Sequence, residues 1–326
     1  MTHVQHLMPF LRKTPFHAPI EQLMHGQGWV RWMGFQSPAF FDSEQSEYFA
    51  IRNGASVYDV SPLIKYSIRG RDAARFVDFL VTRDMTKVKP MQVAYTAWCD
   101  DDGRMIEEGT VFRLGESDFI LNAALHQLHW LTEAAYGFDV AIEEVSDRFC
   151  GLALQGPTSR DILGALGVTG IEALPHFGIL ETKVDGHWMR IDRAGFTGDL
   201  GYELWVEPQD ALWLWETLFR LGEAHKIAPI GSRALDMARI EAGFILVDVD
   251  YIYPAFARDP HGNLEELAHR HAGLHGGDGG PFTGQNRGIV ARLLLRRRAE
   301  HRRSRNVRAV RADQAAEVEA HEIAGA

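Results

Sequence analysis

Cysteine is scarce in this chain of 326 residues. Cys99 and Cys150 are the only two, so no disulfide framework is expected and a reducing, cytoplasmic setting is the default. No run reaches the roughly eighteen apolar residues a membrane span needs, and no long apolar stretch follows the N-terminal charges; neither a spanning helix nor a secretory leader is expected. No strand, Gly-x-Gly-x-x-Gly, helix unit occurs, which excludes a dinucleotide fold. Lys plus Arg number 34 against 44 Asp plus Glu, a net charge of -10, which argues against nucleic-acid binding by the surface at large. Clustered Cys and His ligands are lacking too, so no resident metal is expected. What is present, 46% hydrophobic and 24% charged residues, suffices for one large domain or two to three smaller ones.

The charge is uneven. From Leu264 to Ala326 there are 11 Arg and no Lys against 8 acids, with Phe282 the only aromatic residue. Few apolar groups there offset an ordering entropy of about 1 to 2 kcal/mol per residue. Division at 263/264 follows: residues 1–263 form the folded region, of two intertwined subdomains, and 264–326 an atypical tail rich in Arg, Gly, His and Ala. Its arginines (Arg296, Arg297, Arg298, Arg302, Arg303, Arg305) suit a solvated helix face or an electrostatic arm, without interleaved aromatics to stack on bases. His269, His271 and His275 are a weak metal pattern. A shifted reading frame soon after His261 would produce the same composition.

The most informative stretch is Arg193-Ala-Gly-Phe-Thr-Gly-Asp-Leu-Gly-Tyr-Glu203, followed by Arg239-Ile-Glu-Ala-Gly243. Gly195, Gly198 and Gly201 each allow a positive φ or a close backbone approach. They lead into a strand, Tyr202 to Val206, in which Glu203 and Trp205 share one face. Read alone, this is equally an ordinary turn with a solvated acid.

Periodicity places helices over Glu44 to Asn53, Asp72 to Leu80 (apolar face Ala73, Phe76, Val77, Leu80), Leu125 to Tyr136, Ser159 to Leu166, Ala211 to His225 and Ser232 to Ala242. In the Ala211 to His225 helix the expected buried stripe is Leu212, Trp213, Trp215, Leu218 and Leu221. Ser232 reads as an N-cap and Gly243 as a helix end. Val111 to Leu114 and Phe119 to Leu121 read as paired strands. The mixture predicts an α+β fold.

In order along the chain stand Leu11-Arg-Lys-Thr-Pro-Phe16, Glu47 through Val60, Tyr66-Ser-Ile-Arg-Gly-Arg-Asp-Ala73, Tyr95-Thr96 with Asp102-Gly-Arg-Met-Ile-Glu-Glu-Gly-Thr-Val-Phe-Arg113, Phe119-Ile-Leu-Asn-Ala123 and Leu152-Ala-Leu-Gln-Gly-Pro-Thr-Ser159. Together with the glycine stretch and Arg239 to Gly243, this ordered set resembles the glycine-cleavage T-protein family, the folate-dependent aminomethyltransferases and their tetrahydrofolate-dependent demethylase relatives. The resemblance spans roughly residues 11 to 250. It implies a GcvT-like folate-binding fold of mixed sheets and helices; the C-terminal β domain is atypical or missing, with Pro281-Phe-Thr-Gly284 its one recognisable trace. Asp59-Val-Ser-Pro-Leu-Ile64 departs from the family's Asp-Val-Ser-His-Met-Gly, and Phe196 stands where Tyr is usual.

What the resemblance implies for the site is a tetrahydrofolate-dependent transfer of an aminomethyl or methyl group from a small-molecule donor. An O- or S-demethylase and a non-catalytic folate-binding protein are the alternatives. Glu203 is the expected pterin ligand, because one carboxylate accepts two adjacent N-H groups. Arg239 is expected at an anionic part of the folate or paired with an internal carboxylate. Tyr95, Phe196 and Asn122 complete the cofactor set. Glu107 and Glu108 occupy the place of the family's Asp-Asp pair, and Glu108 is expected at the reacting centre; two exposed acids in a loop would look the same. Trp29, Trp32, Trp98 and Tyr95 are candidates for an aromatic donor pocket or for core. Glu241 suits the family pattern or a buried structural acid.

Overall fold

The computed structural model describes residues 10–25, 28–100, 103–247 and 249–251. The tail with its arginines, the three histidines, the Pro281 to Gly284 turn and the 263/264 boundary lie outside them.

Strands, the central ones buried on both faces, build two sheets and a hairpin. The hairpin pairs β1 (Trp29–Trp32) with β2 (Phe35–Pro38). The six-stranded sheet has the order β10 (Ile179–Val184), β11 (His187–Asp192), β12 (Gly201–Val206), β9 (Cys150–Gln155), β3 (Ala55–Asp59) and β13 (Ile227–Pro229). The five-stranded sheet has the order β5 (Gln92–Cys99), β6 (Met105–Arg113), β7 (Asp118–Ala123), β4 (Ile64–Arg69) and β8 (Ala141–Glu144). All neighbours are antiparallel except β13 on β3. The five-stranded sheet is thus one continuous insertion between β3 and β9.

Each sheet buries its outer face under helices. Phe16, Ile20, Leu154, Ile162, Tyr202, Leu204, Leu214, Trp215 and Leu218 form the core behind the six-stranded sheet, where the His17–Leu23, Ser159–Ala165 and Ala211–Gly222 helices lie. Tyr66, Ile68, Phe76, Val77, Trp98, Val111, Leu121 and Leu131 form the core behind the five-stranded one, with the Ala73–Leu80 and Leu128–Ala134 helices. A third cluster joins the inner faces: Tyr58, Ala153 and Trp205 from one sheet, Val93, Phe112 and Ile120 from the other. Backbone bonds stitch the sheets where β5 meets β10, from Val93 N to Phe177 O at 2.7 Å and from Ile179 N to Met91 O at 2.9 Å. The expected α+β class is what the structure has.

Local punctuation mostly acts as read. Ser43 caps the Glu44–Asn53 helix by accepting from Ser46 N at 3.1 Å, and the buried face of the Ala73–Leu80 helix is Ala73, Phe76, Val77 and Leu80. Three readings are corrected. The helix expected from Leu125 to Tyr136 is confined to Leu128–Ala134, because Ala124 N and Leu125 N donate to the Glu107 carboxylate instead of continuing a helix. Ser232 is the first helical residue and not the cap; Gly231 precedes it, and Gly231 N donates to Glu47 Oε2 at 2.7 Å. In the Ala211–Gly222 helix Leu214 belongs to the buried face, while Leu212 is exposed.

Close strand packing also dictates residue size. A Cβ on Gly109 would stand 2.1 Å from Asn122 O on the neighbouring strand, so Gly109→Ala must part β6 from β7. The substitution is expected to lower stability by about 2 to 3 kcal/mol in urea unfolding; an unchanged midpoint would show that the strands are less tightly apposed.

Candidate functional site

The glycine stretch is shaped around one side chain. Gln155, at the end of β9, inserts its amide between Gly195 and Gly201, where added Cβ atoms would come within 1.9 and 2.1 Å of Gln155 Oε1. Thr197 Oγ1 donates to Gln155 Oε1 at 3.0 Å, and Gln155 Nε2 donates to the carbonyls of Ala194 and Tyr202, each at 3.3 Å. Gly198 alone of the three glycines has a positive φ, of 78°. The two outer glycines serve close approach and the middle one serves the turn.

A second tether holds the loop from outside. Arg52, on the Glu44–Asn53 helix, donates to Thr197 O at 2.8 Å and pairs with Asp199 at 2.7 Å and Glu241 at 2.6 Å. Tyr48 Oη also donates to Glu241 Oε2, at 2.7 Å. Glu241 is therefore a half-exposed clamp residue, neither a ligand group nor a buried acid.

The loop delivers Glu203 onto β12, opposite Asp192 on β11 and Ala153 on β9. Glu203 and Trp205 share the inner face, as the strand period requires. Glu203 has no hydrogen-bond partner among the described residues. Its nearest cation is Lys65, from the opposing sheet, whose ammonium lies 5.0 Å from the Trp205 ring centroid and donates to Ser61 O at 2.9 Å and Leu63 O at 2.7 Å. Burial pushes the Lys65 ammonium down to about 8, against the pull of Asp59, Cys150 and Glu203. Burial raises the Glu203 carboxyl above the usual range and Lys65 draws it back.

The five-stranded sheet answers with a polar row. Lys65 on β4 pairs with Asn122 on β7, Asn122 with Thr110 on β6, and Thr110 with Tyr95 on β5. All four side chains face the inter-sheet gap. Asn122 donates to Thr110 Oγ1 at 3.3 Å, and its buried carbonyl oxygen has no partner. A cleft at the Lys65 end is lined by Phe112, Ile120, Phe149, Arg190 and Trp205 besides Lys65 and Asn122.

Glu108 projects from β6 on the same face as Tyr95 and Thr110, and is only 8% exposed. Burial pushes its carboxyl up to about 7; Tyr95 and the Arg239 charge oppose the rise, and Asp250 adds to it. Glu107, one residue earlier, points to the opposite face and is wholly buried. It accepts from Ala124 N, from Leu125 N at 2.9 Å and from Gln127 Nε2 at 2.9 Å. The two acids therefore have different tasks: Glu107 ties down the turn after β7, which corrects its reading as a catalytic residue, and Glu108 faces the gap. Neither is a loop acid.

Residues after the Ser232–Ala242 helix close the Glu108 end. Phe244 stacks on Phe196 with centroids 5.3 Å apart and meets the Tyr95 ring edge-on at 6.0 Å. Tyr95 and Phe196 thus lie on either side of Phe244. Of the two readings of Arg239, the structure shows the internal pair. Arg239 is 1% exposed and directs its guanidinium at Asp236 at 2.6 Å, at Phe244 O at 3.1 Å and at Asp250. It is an internal counter-ion beside Glu108, not a free fork for a ligand carboxylate. Trp98 is also reassigned, since it faces the core behind the five-stranded sheet; Trp29 stacks on His17 and Trp32 packs on Tyr58, so these rings do not converge on one pocket.

Sequence reasoning missed Gln155 as the template of the glycine loop, Lys65 and Asp192 as neighbours of Glu203, and the Phe244 to Tyr251 segment over Glu108. A signal for Gln155 existed in the Gln155-Gly156-Pro157 turn, whereas Lys65 and Asp192 are adjacent to Glu203 only through sheet packing. Among the described residues no group of His, Cys, Asp and Glu is arranged to hold a metal ion, and no helix is long and apolar enough to cross a membrane.

Comparison with known proteins places the chain in a family. The GCVT N-terminal domain family matches residues 21–254. An aminomethyltransferase of Clostridium botulinum (strain Loch Maree / Type A3) is 32% identical over 244 residues, 73% of this chain and 65% of that protein. One from Streptomyces coelicolor is 34% identical over 240 residues, 72% of this chain and 64% of that protein. The crystal structure of glycine cleavage system aminomethyltransferase T from Bartonella henselae aligns with a TM-score of 0.66 at 25% identity, covering 74% of this chain and 65% of that one. The chain thus spans somewhat under two thirds of the length of these relatives.

Arg239 is itself buried but its partners are not, Asp236 and Asp250 keeping 46% and 30% of their side-chain surface exposed, so Arg239→Ala is expected to cost about 1.5 to 3 kcal/mol of unfolding free energy, from the charge-assisted bonds it removes. A variant of native stability that had lost only ligand affinity would return Arg239 to the ligand.

Proposed function

The chain belongs to the glycine-cleavage T-protein family of aminomethyltransferases, and on that footing we propose that it transfers a one-carbon unit from a small-molecule donor with tetrahydrofolate held between its two sheets. The observation that carries the reading is Glu203: a carboxylate on a rigid strand, facing the inter-sheet gap, with no hydrogen bond to any described residue. A pterin edge, with an amino group beside a ring N-H, is the kind of partner such a carboxylate lacks. Asn122 supports the fit, since its unpartnered buried oxygen also calls for a donor.

Tetrahydrofolate, when bound, supplies the ring nitrogen that receives the one-carbon unit. The residues of this chain bind, orient and balance charge around it. Glu203 accepts the two N-H groups. Tyr95, Phe196 and Phe244 form an aromatic wall at the other end of the gap. Glu108, as a carboxylate, lowers the energy of positive charge developing on the transferred unit, and its burial makes that interaction stronger than in water. Tyr95 shares its face of the gap, and the Arg239 charge favours its ionised form against the effect of burial.

Calorimetry with tetrahydrofolate tests the binding half. Glu203→Ala is expected to weaken binding roughly 10- to 150-fold, the loss of one charge-assisted pair; unchanged affinity would remove the assignment. The chemical half is tested with an aminomethyl donor. Glu108→Gln is expected to keep tetrahydrofolate affinity within about threefold while turnover falls by roughly 10²- to 10⁴-fold. The required form of Glu108 is ionised and burial pushes its carboxyl up to about 7, so wild-type turnover should rise with pH through that value. A rate independent of pH between about 6 and 8 would assign the role elsewhere.

A further inference from the structure

Asp192 is the last residue of β11 and the direct cross-strand partner of Glu203. Its side chain leaves the sheet on the Glu203 face, and it is fully buried. Oδ2 accepts the Trp205 indole N-H at 3.0 Å, while Oδ1, equally buried, has no hydrogen-bond partner. Nothing in the transfer step described above uses this residue. An orphaned carboxyl oxygen at zero exposure is costly to maintain unless a ligand or a proton completes it.

Neighbouring charges indicate which. Asp192 is fully buried and Glu203 half-buried beside it, so charge on one disfavours charge on the other and the pair favours holding one proton. Lys65, from β4, favours charge on Glu203. Arg190, the cation nearest Asp192, is already paired with Glu181 at 2.7 Å and packed on the Phe149 and Trp188 rings. The remaining ionisable neighbours, Asp59 and Cys150, act on Lys65. Burial and the Glu203 charge hold the Asp192 carboxyl well above the usual carboxylate range. Geometry favours the same residue: Oδ2 is already the acceptor for Trp205, and Oδ1, buried and without a partner, is the atom placed to carry a proton toward a ligand.

We propose that Asp192 is a second recognition residue of the ligand site, donating from Oδ1 to a ring acceptor while Glu203 accepts from the N-H groups beside it. Two carboxyls with one proton offer two acceptors and a donor side by side. The matching ligand edge is a heterocycle with a carbonyl or ring nitrogen adjacent to an N-H and an amino group. The pterin edge has that order, so the inference rests on the folate reading and extends it from one acid to two. It also explains why a carboxyl, and not an apolar residue, occupies a wholly buried position: a hydrocarbon side chain would satisfy neither Trp205 nor the ligand.

Tetrahydrofolate binding is measured by calorimetry from about pH 6 to 9 on wild type, Asp192→Asn, Asp192→Ala and Glu203→Ala. Asn keeps both a donor and an acceptor for Trp205, so its affinity should stay within about threefold of wild type at pH 7 and should show a smaller alkaline loss than wild type, retaining only the part that follows Lys65, whose ammonium burial pushes down to about 8. Ala should bind roughly 5- to 30-fold more weakly. Melting temperatures give a readout without ligand. A carboxyl raised in the folded state contributes stability that is full below its unfolded value and lost as pH rises toward its folded one. Asp192→Asn carries no such loss, so it should gain on wild type as pH rises. A pH-independent difference in melting, or Ala binding as well as wild type while Glu203→Ala does not, overturns the role of Asp192 and leaves the folate reading intact. Wild type that fails to bind tetrahydrofolate at any pH overturns both.

Discussion

The amide of Gln155 is the constraint on which the site depends. It is fully buried, saturated by Thr197, Ala194 and Tyr202, and flanked by two positions where only hydrogen fits. Without it the glycine stretch would be a chain with an unusual freedom of backbone angles. With it the stretch has one path, anchored on β9 and released directly into β12. Because β9 and β12 are hydrogen-bonded neighbours, the same amide sets where Glu203 stands relative to the rest of the sheet. Precision at a functional carboxylate is obtained here from a neutral group that touches no ligand.

The inter-sheet gap is a place of low dielectric that nevertheless contains several charges, and their arrangement follows from that fact. Glu203 and Glu108, at the two ends of the gap, each have one cation whose charge acts on them: Lys65 for Glu203 and Arg239 for Glu108. Neither cation is free. Lys65 is held by two carbonyls and a ring face, and Arg239 by two carboxylates. Fixed counter-ions of this kind tune the acids without competing for a ligand, since they are already at the geometry they require.

How much of this was legible in the sequence depends on the range of the interaction. The period of two put Glu203 and Trp205 on one face and separated Glu107 from Glu108, and both hold, because strand geometry is local. The buried face of the Ala73–Leu80 helix was readable for the same reason. Where reading failed, a partner distant in sequence had decided the outcome. Leu125 is not helical because Glu107 captures its N-H. Arg239 is not a ligand fork because Asp250, on a turn eleven residues later, reaches it first. Asp192 beside Glu203 required knowing that β11 lies next to β12, and Lys65 required the packing of two sheets. The family motif pointed to Glu203 and Glu108, which the fold places facing the inter-sheet gap, and the surrounding charges became visible only in three dimensions.

The insertion of the five-stranded sheet between β3 and β9 carries a consequence for how the protein is made. Ser56 and Gln155 are bonded neighbours separated by 99 positions, so the six-stranded sheet closes only after the whole inserted sheet has left the ribosome. The insert has its own apolar core and contiguous sequence, and can condense first; the flanking sheet has high contact order and must wait. The inserted unit then shortens the effective loop between β3 and β9, because its first and last strands, β4 and β8, are themselves paired. Glu108 therefore leaves the ribosome before Glu203, and the gap between them is complete only once β12 and the Ser232–Ala242 helix have joined it.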